Sequence, residues 1–390
     1  MIVVTQSGVL KNLPPLISLL QLLKHKGEDV VYVGFIEDAS TRQILAELGL
    51  EFALYDYPLV AFKDRPLLNV WQKLTNFIRP YLMRTWAWRV IGNKCQGNPE
   101  VIIWSADMRA SAILGNHARM YGKRFIQTLY ELGEEVGKSY LRFDIERLYH
   151  EATVVECEYN RAHILKAEHD IEDLPFVMPN KPFAHPRKKD LSCSEVPGLK
   201  SILESWKDKR VFLYQGVLQD DRQELFAMID ALCAGLPDCV IAVMGKSNSS
   251  VESLSRKYKN FCHVPFVLPP KHLVVTSYAD IGLAYYKGGA IYGLSPLNPV
   301  YCAPNKIFEY AGFGIPMICN DVPGLKYSVG DAGAAICLNS LDRQSVVDAA
   351  KKILADYETY SHAAVSYFDS VNVEQISMDI LNHARGVKPL

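Results

Sequence analysis

Residues 303–319 read Ala303-Pro304-Asn305-Lys306-Ile307-Phe308-Glu309-Tyr310-Ala311-Gly312-Phe313-Gly314-Ile315-Pro316-Met317-Ile318-Cys319. The order predicts a short helix that feeds a strand. Pro304 suits the first helical position, where its missing N–H has no partner to lose, and Gly312 and Gly314 stop the helix before Met317–Cys319. A strand, Ile281–Ala284, precedes the run. Strand, helix and strand in this order make a βαβ unit, which needs a parallel sheet.

The same rhythm continues in both directions. Toward the N-terminus, strand-like runs stand at Phe261–Val264, Val240–Met244 and Val211–Tyr214, and toward the C-terminus at Ala335–Cys337. A second series opens the chain, with Met1–Val4, an apolar helix over Leu16–His25, Val30–Val33, Val101–Trp104, Arg124–Thr128 and Thr153–Val155. Between the series, Pro182 to Lys200 is rich in Pro, Lys and Ser with little hydrophobic period, which marks a linker. At 390 residues the chain exceeds what one core usually serves. The expectation is two doubly wound α/β domains facing across a cleft: 1–183, a linker over 184–206, then 207–365. Ligands of such sheets gather at the carboxyl ends of the strands.

Charge excludes some partners. The chain carries 42 basic and 43 acidic side chains, net −1, so no global field draws in nucleic acid. Nine cysteines run from Cys95 to Cys337 with no C-x-x-C pair and no zinc spacing, which points to reduced thiols in a cytoplasmic protein. The N-terminus shows no leader pattern and no window suits a membrane-spanning helix. Residues 63–94 do suggest a peripheral surface. Lys63, Arg65, Lys73, Arg79, Arg84, Arg89 and Lys94 face a single acid, Asp64, and share the window with Trp71, Trp86, Trp88, Phe77 and Tyr81. Cations mixed with aromatic rings suit an anionic membrane surface, here the inner face; the plainer reading is aromatic core beneath a solvated cationic face.

The chemistry lies in the opening stretch. Asn305, Lys306 and Glu309 are three and four residues apart and share one helix face. A helix N-terminus favours phosphate, a lysine there adds a charge-assisted bond to a departing diphosphate, and a glutamate one turn on can accept bonds from ribose hydroxyls. The plainer alternative is an exposed capped helix with an i,i+3 ion pair. Gly216, after the strand Val211–Tyr214, lets backbone approach a diphosphate, unless it is an ordinary strand-to-loop glycine. Arg222 is a second cation or a solvated first-turn residue beside Asp220 and Asp221. Met244-Gly245-Lys246 ends another strand, which puts Gly245 near a nucleotide and leaves Lys246 at the surface. On the N-terminal side Asp107 either orients or deprotonates an acceptor hydroxyl or caps the helix toward Leu114. Ser7 and Gly8 fall in the loop after the first strand.

The pattern Pro304-Asn305-Lys306-x-x-Glu309-Tyr310-x-x-x-Gly314-x-Pro316 resembles the donor-site motif of GT-B glycosyltransferases, in particular family 4, the large retaining group. The resemblance extends along most of the chain. Pro99-Glu100-Val101-Ile102 through Asp107 and Leu129-Tyr130-Glu131-Leu132 are similar to the family's Asp after one strand and His-Glu after the next. Pro179-Asn180 is similar to its turn into the linker, Tyr214-Gln215-Gly216 to its first C-domain strand, and Asp280-Ile281-Gly282-Leu283 to the strand before the motif. Three positions depart: Tyr301 stands where many members have a glutamate eight residues before the one matched by Glu309, Val217 where many have an arginine, and Tyr130 in place of histidine.

The resemblance implies a nucleotide-sugar donor, UDP-sugar favoured, and a glycan or lipid-linked acceptor in cell-surface polysaccharide or glycolipid synthesis. It implies retention and no metal or other cofactor, the nucleotide sugar being a co-substrate. Lys306 and Arg222 would neutralise the leaving diphosphate, with Gly216, Gly245, Asn305 and Glu309 around the nucleotide and Phe266 and Val267 holding the base. Ser7, Gly8, Asp107 and Glu131 would face the acceptor, and the last helix, Val373–Arg385 within 366–390, would cross back to the N-terminal domain. Two other readings stay open: a nucleotide-sugar 2-epimerase of the same fold, and a catalytically degenerate partner subunit.

Overall fold

The structure is a computed structural model that describes residues 1–6, 10–35, 39–55, 66–95, 98, 100–132, 144–218, 222–287 and 295–387, with side chains of the helix over 66–95 described from 78 onward. Ser7, Gly8, Asp220 and Asp221 lie outside these residues, as do Lys63, Asp64, Arg65 and the side chains of Trp71, Lys73 and Phe77.

The chain divides into two compact units. The first takes Met1–Pro179 with Ala290–Asn298 and Val373–Leu390. Its seven strands are β1 (Ile2–Thr5), β2 (Val31–Gly34), β3 (Glu51–Leu54), β4 (Ile103–Ser105), β5 (Phe125–Leu129), β6 (Thr153–Glu156) and β7 (Phe176–Val177). They pair in the order β3-β2-β1-β4-β5-β6-β7, every pair parallel. The strands β1, β2, β4 and β5 are buried along their length, as a parallel sheet covered on both faces requires. The edge strands β3 and β7 escape the sequence reading because they are short, half-exposed and lack a β-branched run. The C-terminal helix Val373–Ala384 belongs to this unit, burying Ile380, Leu381 and Ala384 among Leu16, Leu20 and Trp104. Lys26–Glu374 and Arg385–Glu28 ion pairs flank it.

The second unit takes Asn180–Gly289 and Pro299–Asn372. Its strands are β8 (Val211–Gln215), β9 (Val240–Met244), β10 (Phe261–Val264), β11 (Ile281–Ala284), β12 (Met317–Asn320) and β13 (Ala335–Leu338), in the order β10-β9-β8-β11-β12-β13, again all parallel. Two apolar clusters, one on each face, cover this sheet. The segment 184–206 is not a free tether: Val196, Leu203 and Trp206 enter the core of this unit. They are too widely spaced to show a period, and the unit begins at Asn180. The boundary drawn at 365 falls inside the helix Tyr357–Ser370.

The basic helix Pro66–Cys95 is largely an internal support where its side chains are described. Arg84 donates to the carbonyls of Ile113 (2.6 Å) and Ala112 (3.0 Å), and Trp88 Nε1 to that of Leu114 (2.9 Å). These bonds satisfy the end of the helix Met108–Leu114, where carbonyls lack helical partners. Trp86 packs edge-on against Phe35 and Tyr55. Arg84, Trp86 and Trp88 therefore turn their polar groups or rings inward, while among the described side chains of this helix Ile78, Tyr81 and Leu82 are the large apolar ones exposed. Among the described residues no helix is long and apolar enough to cross a membrane. All nine cysteines are free thiols.

Candidate functional site

In the second unit β8 and β11 are neighbours although three strands apart in sequence, so the chain winds away from this line in both directions. The carboxyl ends of such a strand pair form a natural ligand site. The helix Asn305–Gly312 is fixed there by two glycines. A Cβ at Gly282 would lie 2.4 Å from the Tyr310 ring, so only glycine on β11 lets that ring press against the strand, where Tyr310 Oη donates to the Leu213 carbonyl at 2.8 Å. At the far end Gly314 takes φ +67°, and the amides of Gly314 and Ile315 return to Ala311 and Tyr310. Pro304 is not the first helical residue: its extended backbone, φ −77° and ψ 135°, puts it at the cap, and Asn305 starts the helix.

Lys306 reaches from this helix over the end of β8. Its Nζ lies 4.4 Å from the centroid of the Tyr214 ring and 5.2 Å from that of Tyr286. Both are within cation–π range. Gly216 makes room for it: with φ +143°, a conformation side-chain-bearing residues rarely take, it would set a Cβ 3.1 Å from Lys306 Nζ. Gly245, at the end of β9, permits the next approach, because a Cβ there would stand 2.5 Å from the Gly216 carbonyl oxygen. Arg222 precedes the helix Gln223–Gly235, caps nothing with its side chain, and donates from Nη1 to Tyr214 Oη at 3.2 Å. Two cations thus converge on one tyrosine beside a glycine-lined strand end.

Glu309 lies one turn behind Lys306, only 7% exposed. Its Oε1 is 3.0 Å from His272 Nε2 and its Oε2 accepts from Gln215 Nε2 at 2.5 Å. Thr276 holds the other end of Gln215 through a 2.7 Å bond to Oε1. Burial alone would raise the Glu309 carboxyl, but His272, Lys306 and His185 outweigh it and hold it below the usual carboxylate range. His185 bonds the Glu309 carbonyl at 3.0 Å, and burial pushes its imidazole down to about 4. Asn305 is half-buried at the helix start. Phe266 is 52% exposed in the loop after β10, while Val267 packs against the core. Tyr214, Gln215, His272, Thr276 and Tyr286 belong to this arrangement and were given no role from the sequence, although Tyr214 and Gln215 stood in the run that ends at Gly216.

In the first unit Asp107 follows β4. Its Oδ1 accepts the Ala110 amide (2.8 Å), which caps the helix Met108–Leu114, and its Oδ2 accepts the Thr5 hydroxyl (2.6 Å) and the Gln6 amide (2.7 Å). Such a carboxylate is engaged as a cap and as a tie between the ends of β1 and β4. Glu131 is exposed after β5 and accepts from Asn298 Nδ2 at 2.6 Å. The sequence reading missed Glu156 at the end of β6. It is wholly buried with Oε1 unpartnered; burial raises its carboxyl to about 8 although Arg161 opposes the rise.

Among the described residues no cluster of three or more His, Cys, Asp or Glu is arranged to hold a metal ion. A depression of about 550 Å³ lined by Phe226, Asp230, Ser253 and Arg343 includes none of the groups above, and its Asp230 is already bound by Lys257, Tyr258 and Arg343.

No protein-family model matches this sequence, and no curated protein does. Solved structures match along the whole chain. One is HepE of Anabaena, in complex with UDP (14% identity, TM-score 0.66, 99% of each chain covered) and with UDP-glucose (13%, 0.63, 99% of each). Sucrose-phosphate synthase of Thermosynechococcus elongatus is similar at 15% identity and TM-score 0.61, with 99% of this chain and 98% of that one covered. A UDP-N-acetylglucosamine 2-epimerase is similar at 14% and 0.61, with 100% and 96% covered. These likenesses show the fold: two parallel-sheet α/β domains of the GT-B type.

Proposed function

We propose that this chain is a glycosyltransferase that moves a sugar from a nucleoside-diphosphate donor, UDP-sugar first, to a glycan or lipid-linked acceptor in cell-surface polysaccharide or glycolipid synthesis. The observation that carries the reading is the pair of cations, Lys306 and Arg222, at the carboxyl end of β8 beside Gly216. In the transfer the bond from the anomeric carbon to the diphosphate oxygen breaks and the acceptor oxygen takes its place. Negative charge grows on the departing diphosphate, and fixed cations there stabilise the transition state more than the ground state. With retention, attack and departure share one face, so the acceptor proton passes to the leaving phosphate oxygen. That assigns no proton to Asp107, in keeping with its hydrogen bonds to Thr5, Gln6 and Ala110. Lys306 and Arg222 supply the charge that a metal provides elsewhere. The UDP and UDP-glucose held by HepE support uridine as the base, with the exposed Phe266 as a wall for it and Glu309 behind the ribose.

Similarity to a 2-epimerase favours one other reading, isomerisation of a UDP-sugar. The two differ in products, since transfer frees UDP and epimerisation leaves it attached. Calorimetric titration of metal-free wild type and Lys306→Ala with UDP, GDP, ADP and CMP tests the donor site. Binding of UDP, weakened about tenfold by the substitution (about 1.4 kcal/mol), is expected. Absence of binding by every nucleotide would leave a degenerate partner subunit as the better account. Incubation with UDP-sugars and acceptors, read for free UDP against a changed but intact sugar nucleotide, separates transfer from epimerisation.

A further inference from the structure

We propose that Tyr214 is a positioning residue that sets the spacing of two cations for one diphosphate; this rests on the reading of Lys306 and Arg222 as the diphosphate site. Three observations meet at this side chain. Its ring face carries the Lys306 ammonium at 4.4 Å, its Oη accepts from Arg222 Nη1 at 3.2 Å, and the same Oη donates to the Val217 carbonyl at 3.4 Å. The phenol is wholly buried, so its ring cannot follow either cation. It is clamped between the apolar cluster of Leu225, Ile281 and Tyr285 on one side and the strand end on the other.

The geometry has a chemical consequence. Lysine and arginine side chains are long and lose rotamer freedom when they converge on a ligand. An anion site built from two such chains is loose unless something holds them before the ligand arrives. Tyr214 holds both at once, one through its π face and the other through its oxygen. Its oxygen has one proton and it goes to Val217, which leaves a lone pair for the guanidinium and fixes the hydroxyl's direction. Lys306 comes from the helix on one face of the sheet and Tyr214 from the apolar cluster on the other. Gly216 leaves open the edge at which they meet. Two cations held on one side chain match a diphosphate, whose charge is spread over two linked phosphoryl groups.

Tyr214→Phe is the informative change, since it keeps the ring under Lys306 and removes the acceptor for Arg222. Affinities for UDP and for inorganic pyrophosphate are measured calorimetrically without metal for wild type, Tyr214→Phe, Arg222→Ala and the double variant. Thermal melting confirms that each is folded. The expected result is a loss of about tenfold in Tyr214→Phe for both ligands, about the same in Arg222→Ala, and no more than about twofold further loss in the double variant. A side chain that served folding alone would show no such coupling to Arg222. Arg222→Lys provides the second line should Tyr214→Phe not fold: it keeps the charge without the planar fork that reaches the phenol, and is expected to weaken binding as Arg222→Ala does. Wild-type affinity in Tyr214→Phe or in Arg222→Lys, or fully additive losses, overturns the positioning role while leaving the donor site standing. Failure of the wild type itself to bind either ligand overturns the functional reading on which the role rests.

Discussion

Replacing Gly216 by alanine separates backbone strain from ligand contact. Gly216 takes φ +143°. Alanine forced into such a region costs about 1–3 kcal/mol of stability. The added methyl also lands 3.1 Å from Lys306 Nζ and 3.6 Å from Tyr214 Oη. The first distance is tighter than nine in ten real contacts of a Cβ, so the lysine head must give by a few tenths of an ångström. A hydrogen bond to a charged partner contributes about 1.5–3 kcal/mol, and spoiling about half of one weakens UDP binding by about three- to tenfold.

Gly27→Ala is the control. Gly27 takes φ +76° and a Cβ there would have nothing within 4 Å, so its substitution brings strain without contact. Both variants are expected to unfold at lower urea than wild type, by about 1 kcal/mol for Gly27→Ala. Only Gly216→Ala should lose affinity in calorimetry with UDP. Gly245→Ala should lose at least as much, because its methyl would meet the Gly216 carbonyl oxygen at 2.5 Å and a backbone atom cannot swing aside. Wild-type UDP affinity in a destabilised Gly216→Ala would refute the claim that this glycine makes room for the lysine at a phosphate site.

Three further substitutions test other parts of the structure. Asp107→Ala removes a cap and the partner of Thr5 and Gln6, and should lower stability by about 1–3 kcal/mol in urea unfolding, with Asp107→Asn recovering part of it; unchanged stability with lost turnover would restore the general-base reading. Glu156 is held protonated by burial at about 8 against an ordinary value of 4.5. The folded chain therefore binds the extra proton, its stability falls as pH rises from about 4.5 to about 8 by up to about 1.4 kcal/mol per unit, and Glu156→Gln should flatten that slope; parallel profiles would count against it. Glu309 has the opposite sign, since its folded value is lowered, so the stability it contributes is present above its ordinary 4.5 and is lost as pH falls through the folded value. Glu309→Gln should be less stable than wild type at neutral pH and converge with it in acid, which thermal melting at a series of pH values will show.

The architecture was legible because parallel strands buried on both faces must be runs of apolar residues, and Val211–Gln215 and Val240–Met244 are such runs. Edge strands escape that constraint, and Glu51–Leu54 escaped detection with them. The helix Asn305–Gly312 was legible through Pro304, Gly312 and Gly314, whose backbone chemistry is local. Its partners were not, because they arrive from elsewhere in the chain. His272 and Gln215 reach Glu309 from 37 and 94 residues away, distances at which no spacing rule acts. The inward turn of Arg84 and Trp88 was hidden for the same reason: their acceptors are carbonyls of a different helix. Asp107 shows the converse, since a cap is a local device and its three-residue reach to Ala110 is readable from the sequence.

The departures from the family pattern gain meaning from this geometry. Val217 stands where an arginine was expected, and it is 60% exposed, so no cation follows Gly216 directly. Arg222, five residues later and similar to a second, later basic position of that pattern, reaches the strand end through Tyr214. An arginine fixed next to the glycine would need no organiser, whereas one that arrives from the start of a helix does. The buried phenol and the Arg222 guanidinium therefore form one unit. Val217→Arg, which places a second guanidinium beside Gly216, should make UDP binding less dependent on Tyr214: the loss in Tyr214→Phe should shrink from about tenfold to about twofold when measured in that background. An undiminished loss would show that a guanidinium beside Gly216 does not take over the part played by Tyr214 and Arg222.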